Sequence, residues 1–395
     1  MALQRGPGLR LLLLLLVLGG GWLLASRLGY LDRALQRFLP ATRPAVRLSS
    51  GDFPSGVAAP LGGVASVPLR PVRVGFTPRG SAAALLLASS ATVTPDGATP
   101  VPREGLLRTA YALEAQAVLF ATEDEVRRAL SLGGDNGGVD LGVMGVDRLA
   151  QWAPAALRDA APRTLLLLGR SRGQEALAAV GVSTLEALRG KRIAVHPQSS
   201  AYYFGLWLLS RPGLRHSDVT WVDIPSSLEA GRALREGRAD AALGLAGDVE
   251  LAARDRGGLV LATSADAPHL VASVLVARGE FAARYPDAVR RVVRGLLDAG
   301  AAVQKDPVPA ARLLGDVAPY LGDPVAAIQA APAASLADNL GFFGLAGKAP
   351  VTYDELFRSA GELWVKLRRI PAAAQAEDTR DLTALQSMAE ARGPP

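Results

Sequence analysis

From Val72 onward, short apolar runs alternate with longer stretches in which apolar residues recur every three or four positions. The runs VRVGF (72–76), AVLF (117–120), GVDLGVM (138–144), TLLLL (164–168) and RIAV (192–195) read as buried strands. VTWVDI (219–224), AALGL (241–245), LVLAT (259–263) and HLVASVLVA (269–277) continue the series. The intervening stretches EDEVRRALSL, SAYYFGLWLLS, SLEAGRALREG and YPDAVRRVVRGLLDAGAAV predict helices, and QEALAAV after Gly173 reads as a short one. Strands alternating with helices predict an α/β fold of parallel sheets with helices on both faces. After Val303 prolines punctuate a helical region, YDELFRSAGELWVKLRRI (353–370) closes it, and residues 371–395 are expected to be a flexible tail.

Ahead of this pattern, Arg5 and Arg10 precede an apolar run from Leu11 to Ala25, so residues 1–40 read as a signal peptide or signal anchor. As a helix the run spans about 22 Å, short of the roughly 30 Å hydrocarbon core. Yet Leu23 or Leu24 stands where a cleavage site wants a small residue, which keeps an uncleaved anchor open. Residues 41–70 are rich in proline and glycine and read as a linker, with the folded part starting near Val72.

Composition narrows the chemistry. The 395 residues are 49% hydrophobic and 20% charged, a globular profile, and contain no cysteine, which excludes disulfides, thiolate metal sites and a lipid-carrying N-terminal cysteine. With only His196, His216 and His269 present, no metal site is expected, and no cofactor. The net charge of +6 comes from scattered arginines without interleaved aromatics, so a solvated surface is expected rather than a nucleic-acid face.

Three places carry candidate chemistry. GRSRG (169–173) matches the G-x-S-x-G nucleophile elbow, with Ser171 as its serine. At His196–Ser200 a strand ends, Pro197 forces an extended entry, and Ser199 or Ser200 caps the next helix, so hydroxyls and free amides there suit an anion. Thr77 and Arg79, Met144 to Asp147, and Gly244 to Asp248 follow other strands, where an open sheet places its ligand crevice.

The segment Leu188–Leu243 resembles the second lobe of substrate-binding proteins of the nitrate, sulfonate, taurine and bicarbonate class of ABC transporters. The likeness is carried by LRGKRIAV (188–195), Ser199 and Ser200, DVTWVDIP (218–225) and ALREGRADA (233–241). It implies a bilobal, type II periplasmic-binding fold, with residues 71–168 and 270–370 in one lobe, 169–269 in the other, and hinge crossings near 165–170 and 268–276. It also implies a ligand crevice lined by Thr77, Arg79, Met144, Ser199, Ser200, Tyr202 and Asp248. The function implied is capture of a small anionic or zwitterionic solute for an ABC permease, outside the cytoplasm, with the N-terminal segment tethering the protein to the membrane. The alternatives are a membrane-anchored sensor or scaffold on the same fold, a serine hydrolase using Ser171, and a relative of the fold that makes the thiamine pyrimidine, which the lack of cysteine disfavours. GLAGD (244–248) departs from the family's aromatic–proline pattern, so ligand identity does not transfer. The stretch 89–105 is longer and richer in proline than the usual connection.

Overall fold

Val72–Phe76 forms β1, the strand around which the first of two sheets is built. The structure, a computed structural model, describes residues 67–96 and 101–391. The expected signal segment and nearly all of the linker therefore lie outside the described residues. Among the described residues, no helix is long and apolar enough to cross a membrane.

The first sheet also contains β2 (Ala91–Val93), β3 (Val101–Pro102), β4 (Ala115–Leu119), β5 (Leu141–Gly145) and β6 (Arg163–Arg170). Its seventh strand is β12 (Ala272–Ala277), and the order is β3-β2-β4-β1-β5-β12-β6. The second sheet takes β7 (Glu175–Ala179), β8 (Arg192–Val195), β9 (Thr220–Asp223), β10 (Ala241–Leu245) and β11 (Leu259–Thr263), ordered β11-β7-β10-β8-β9. The chain thus passes between sheets twice, once between β6 and β7 and once between β11 and β12. Each sheet with its helices is a lobe.

Neither sheet is purely parallel, as the alternation of elements predicted. β12 runs antiparallel to β5 and β6, and β7 runs antiparallel to β10 and β11. The cause is the crossings: a strand that enters or leaves a lobe directly, with no crossover helix, must run against its neighbours.

The largest departure from the sequence pattern is β7. EALAA reads as helical because alanine has the highest helix propensity. In the structure Leu177 and Ala179 pack into the core shared with the first lobe, whereas Ala176 and Ala178 pack into the outer core of the second. That alternation of faces belongs to a strand, and pairing on both sides overrides the local preference. The stretch 89–105 likewise adds β2 and β3 at the sheet edge instead of serving as a plain connection.

Seven helices matter below: α1 (Glu123–Leu132), α2 (Val146–Ala156), α3 (Ser200–Ser210), α4 (Ala246–Asp255), α5 (Pro286–Lys305), α6 (Tyr353–Lys366) and α7 (Thr383–Ala391). Thr122 and Glu125 close a capping box on α1, and Ser199 caps α3 by accepting from the Tyr202 amide. The expected loose tail is ordered through Ala391. The Asp381 amide donates to the Thr164 carbonyl at 2.9 Å, extending the β6 edge, and α7 buries Leu385 fully. An edge strand exposes unpaired backbone groups, and this segment covers them.

Candidate functional site

The two lobes meet where strand ends from both sheets converge. β1 delivers Thr77 and Arg79, β4 delivers Glu123 at the start of α1, and β5 delivers Asp147 and Arg148 at the start of α2. From the second lobe β8 brings His196 to Ser200, and β7 begins at Glu175.

Arg79 is the centre of this set. Its guanidinium is buried, 2.9 Å from the Glu175 carboxylate of the second lobe and 3.4 Å from Glu123 of the first. Burial by itself would lower its pKa, but Glu123, Glu175 and Asp147 outweigh that and hold it above the ordinary arginine value. Glu123 also accepts from the Gly145 amide at 3.1 Å.

Asp147 lies beside this cluster, 1% exposed. One carboxylate oxygen accepts from the Ser200 hydroxyl at 2.8 Å, while the other is buried with no hydrogen-bond partner. Burial, reinforced by the negative charge of Glu123, pushes its pKa up to about 7. Its backbone carbonyl accepts from the Trp364 indole of α6 at 2.9 Å, and that indole stands against Tyr202 and Tyr203 of α3. Arg148 donates across to Gln198, a further bond between lobes. Gly145 is required for this approach. A Cβ there would lie 2.4 Å from the Ser200 hydroxyl oxygen and 2.5 Å from Asp147 Oδ1.

So many direct bonds leave little space. The inner cavity, lined by Thr77, Arg79, Glu123, His196 and Ser199 among others, has a volume of about 20 Å³, room for about one water. His196 Nδ1 donates to the Ile224 carbonyl at 2.9 Å, and its Nε2 is buried without a partner. Leu228 and Leu245 continue from this cavity to the outer cleft. There, overlapping hollows of about 450 and 520 Å³ lie between α4 and the first-lobe segment around Leu321 and Ala327.

The residues expected in the crevice fall into three groups. Thr77, Arg79 and Ser199 line the inner cavity, and Asp248 lines the outer cleft, where it accepts from the Gly231 amide at 2.7 Å. Ser200 lies at the contact between lobes. Met144 and Tyr202 are core residues. Met144 lies opposite Val274 in the first sheet, and the Tyr202 hydroxyl bonds His216 Nε2 at 2.8 Å. The Ser199 hydroxyl is already used, donating to the His196 carbonyl at 2.7 Å while capping α3.

Sequence reasoning missed Glu123, Glu175 and the wall around Leu321. Glu123 was discernible, since it follows the end of a strand. Glu175 was hidden by the helical reading of its segment. Ser171 does not form an elbow, because a strand and not a helix follows it. Its hydroxyl is bonded to Glu175 and lies 2.5 Å from the Ser264 hydroxyl, with no histidine among its partners. Among the described residues, no cluster of three or more His, Asp or Glu side chains is placed to hold a metal ion.

This is the fold of two-lobed, periplasmic-binding-protein-like structures, with a mixed α/β sheet in each lobe. Residues 172–310 match the family described as NMT1/THI5 like. No curated protein matches the chain. The alkanesulfonate-binding protein SsuA from Xanthomonas axonopodis pv. citri, bound to MOPS, superposes with a TM-score of 0.60 at 18% identity, covering 80% of this chain and 100% of that one. The periplasmic aliphatic sulphonate binding protein SsuA from Escherichia coli gives 0.59 at 20% identity, over 80% and 92% of the two chains. The desulfurization enzyme DSZB has the same fold, with a TM-score of 0.52 at 15% identity over 81% and 97%. At these identities the likeness is one of fold.

Proposed function

We propose that the chain is the extracytoplasmic solute-binding component of an ABC-type importer, taking a small anionic or zwitterionic molecule between its lobes and presenting it to a permease. The observation that carries this reading is Arg79, a buried cation at the meeting of the two lobes, held by one carboxylate from each. The NMT1/THI5-like match and the fold shared with sulfonate-binding proteins support it. The inner cavity is closed by bonds between the lobes, so the solute enters when the lobes part and takes over Arg79 from Glu175. Ser200, released from Asp147 when the lobes part, and the free amides of α3 would hold its anionic end, with Ser199 keeping the helix start in place and Thr77 beside them. The N-terminal segment would tether the protein to the membrane outside the cytoplasm.

A binding protein fits the site better than an enzyme, since Ser171, the one candidate nucleophile, is buried and bonded to Glu175. The test is a thermal-shift screen against nitrate, bicarbonate, phosphate, alkanesulfonates and taurine. A ligand at about 100 times its Kd adds roughly 2.7 kcal/mol to stability, several degrees in Tm. A shift that Arg79→Ala or Ser199→Ala weakens supports the reading. A well-folded sample silent to the whole panel would move the assignment to a membrane-anchored sensor or scaffold.

A further inference from the structure

The contact that closes the cleft is an ion pair with one member in each lobe. Arg79 follows β1 of the first lobe, and Glu175 opens β7 of the second, 2.9 Å from the guanidinium. Both side chains are buried. Among the described residues, Arg79 is the one basic group paired with Glu175, whose other carboxylate oxygen accepts from the Ser171 hydroxyl.

The charges around this pair are nearly matched. Arg79 and Arg148 stand with Glu123 and Glu175, all four buried, and Asp147 adds negative charge as it ionises. No positive charge is left over for a plain anion.

A solute that takes over Arg79 has to enter between the two members of the pair, because the closed cavity beside them has a volume of only about 20 Å³. If the solute brings negative charge alone, Arg79 exchanges one carboxylate for another anion, and Glu175 is buried again with a serine hydroxyl and no cation. Removing one partner of a buried ion pair is strongly unfavourable, because the charge that remains is uncompensated. A neutral solute leaves both members unsatisfied. A molecule placed inside an ion pair meets a cation on one side and an anion on the other, so it fits only if it carries both signs itself.

We infer that the solute is a compact zwitterion whose acidic group takes Arg79 and whose ammonium takes Glu175. Such a molecule adds no net charge to the contact between lobes. Glu123, in the same lobe as Arg79, keeps its place on the guanidinium. Glu175 is then the specificity-determining residue, acting through the penalty it imposes on plain anions. The inference rests on the solute-binding reading above and narrows it.

The test is calorimetric titration of the full chain with three matched pairs, in each of which a methyl group replaces the ammonium: taurine with 1-propanesulfonate, β-alanine with butyrate, and 2-aminoethylphosphonate with propylphosphonate. At least one amine-bearing member is expected to bind, and its partner to bind roughly tenfold more weakly or worse. Glu175→Gln should reduce that preference to severalfold or less, because the plain anion no longer strands a buried carboxylate. The comparison on the natural chain stands by itself if the variant does not fold. The inference is overturned if an amine-free member binds as well as its partner, or if an inorganic anion binds while every pair is silent; in both cases the solute-binding reading survives. It is also overturned if propylamine binds as tightly as the zwitterions, or if folded Glu175→Gln keeps the full preference. Silence of every pair and every inorganic anion would remove the solute-binding reading and the inference with it.

Discussion

Ser200 and Asp147, on facing lobes, share a hydrogen bond of 2.8 Å in a place almost closed to solvent. The contact is conditional on charge. The second Asp147 oxygen has no partner and Glu123 adds a like charge, so the protonated carboxyl suits this position better than the carboxylate.

Stability should therefore fall as pH rises from about 4 to about 7. An acid whose pKa is raised by folding binds a proton in the native state that the unfolded chain has already released. The stabilising contribution present below the unfolded value near 3.8 is lost as pH climbs through the native value of about 7. A difference of about three pKa units corresponds to at most about 4 kcal/mol. Melting curves at pH 5 and pH 8 should show a drop for the natural chain and a much smaller one for Asp147→Asn. Equal slopes in the two would remove Asp147 as the cause.

Arg79→Ala leaves Glu123 and Glu175 buried without their cation. Removing one partner of a buried ion pair typically costs about 3–5 kcal/mol. Denaturant titration should show that loss, and the pair Arg79→Met with Glu175→Gln should recover part of it, because the two sites are coupled. Additive losses would mean that the 2.9 Å contact contributes little.

Gly145→Ala places a methyl group against Ser200 and Asp147, at contacts of 2.4 and 2.5 Å that no ordinary Cβ tolerates. Either the lobes separate or the contact distorts, at about 1–3 kcal/mol. Small-angle scattering should report a larger radius of gyration for the variant. An unchanged radius and an unchanged Tm would show that the contact between lobes is not tight.

Leu385→Ala in α7 should destabilise by about 2–5 kcal/mol, the usual range for a fully buried leucine. Were the segment a loose tail, thermal melting would not register the substitution.

The sequence disclosed the two-lobed architecture through Leu188–Leu243 and through strands such as TLLLL and AALGL, whose nearly unbroken apolar character marks burial on both faces. It did not disclose β7, because alanine carries no β signal and its strand form depends on neighbours distant in the chain. In the site, Arg79 and Ser199 were readable from their places after strands. Of Arg79's two carboxylates, Glu123 was discernible in the same way, whereas Glu175 was not, since it comes from the misread segment and lies in the other lobe. Tyr202 looked like a pocket residue at the start of a helix, but aromatic packing on Trp221 and Trp364 draws it inward.

The order of the strands along the chain has a consequence for biosynthesis. The second sheet is drawn entirely from residues 175–263, so a chain growing from its N-terminus has all five strands once Thr263 has emerged. The first sheet has an inner strand, β12, that is made only afterwards, and its β6 edge is covered later still, by the segment leading into α7. Until β12 has emerged, β5 lacks a partner on one side and β6 has no strand partner at all. The half of the molecule that starts first is thus the half that finishes last, and its unpaired strands are the surface a nascent chain must keep shielded.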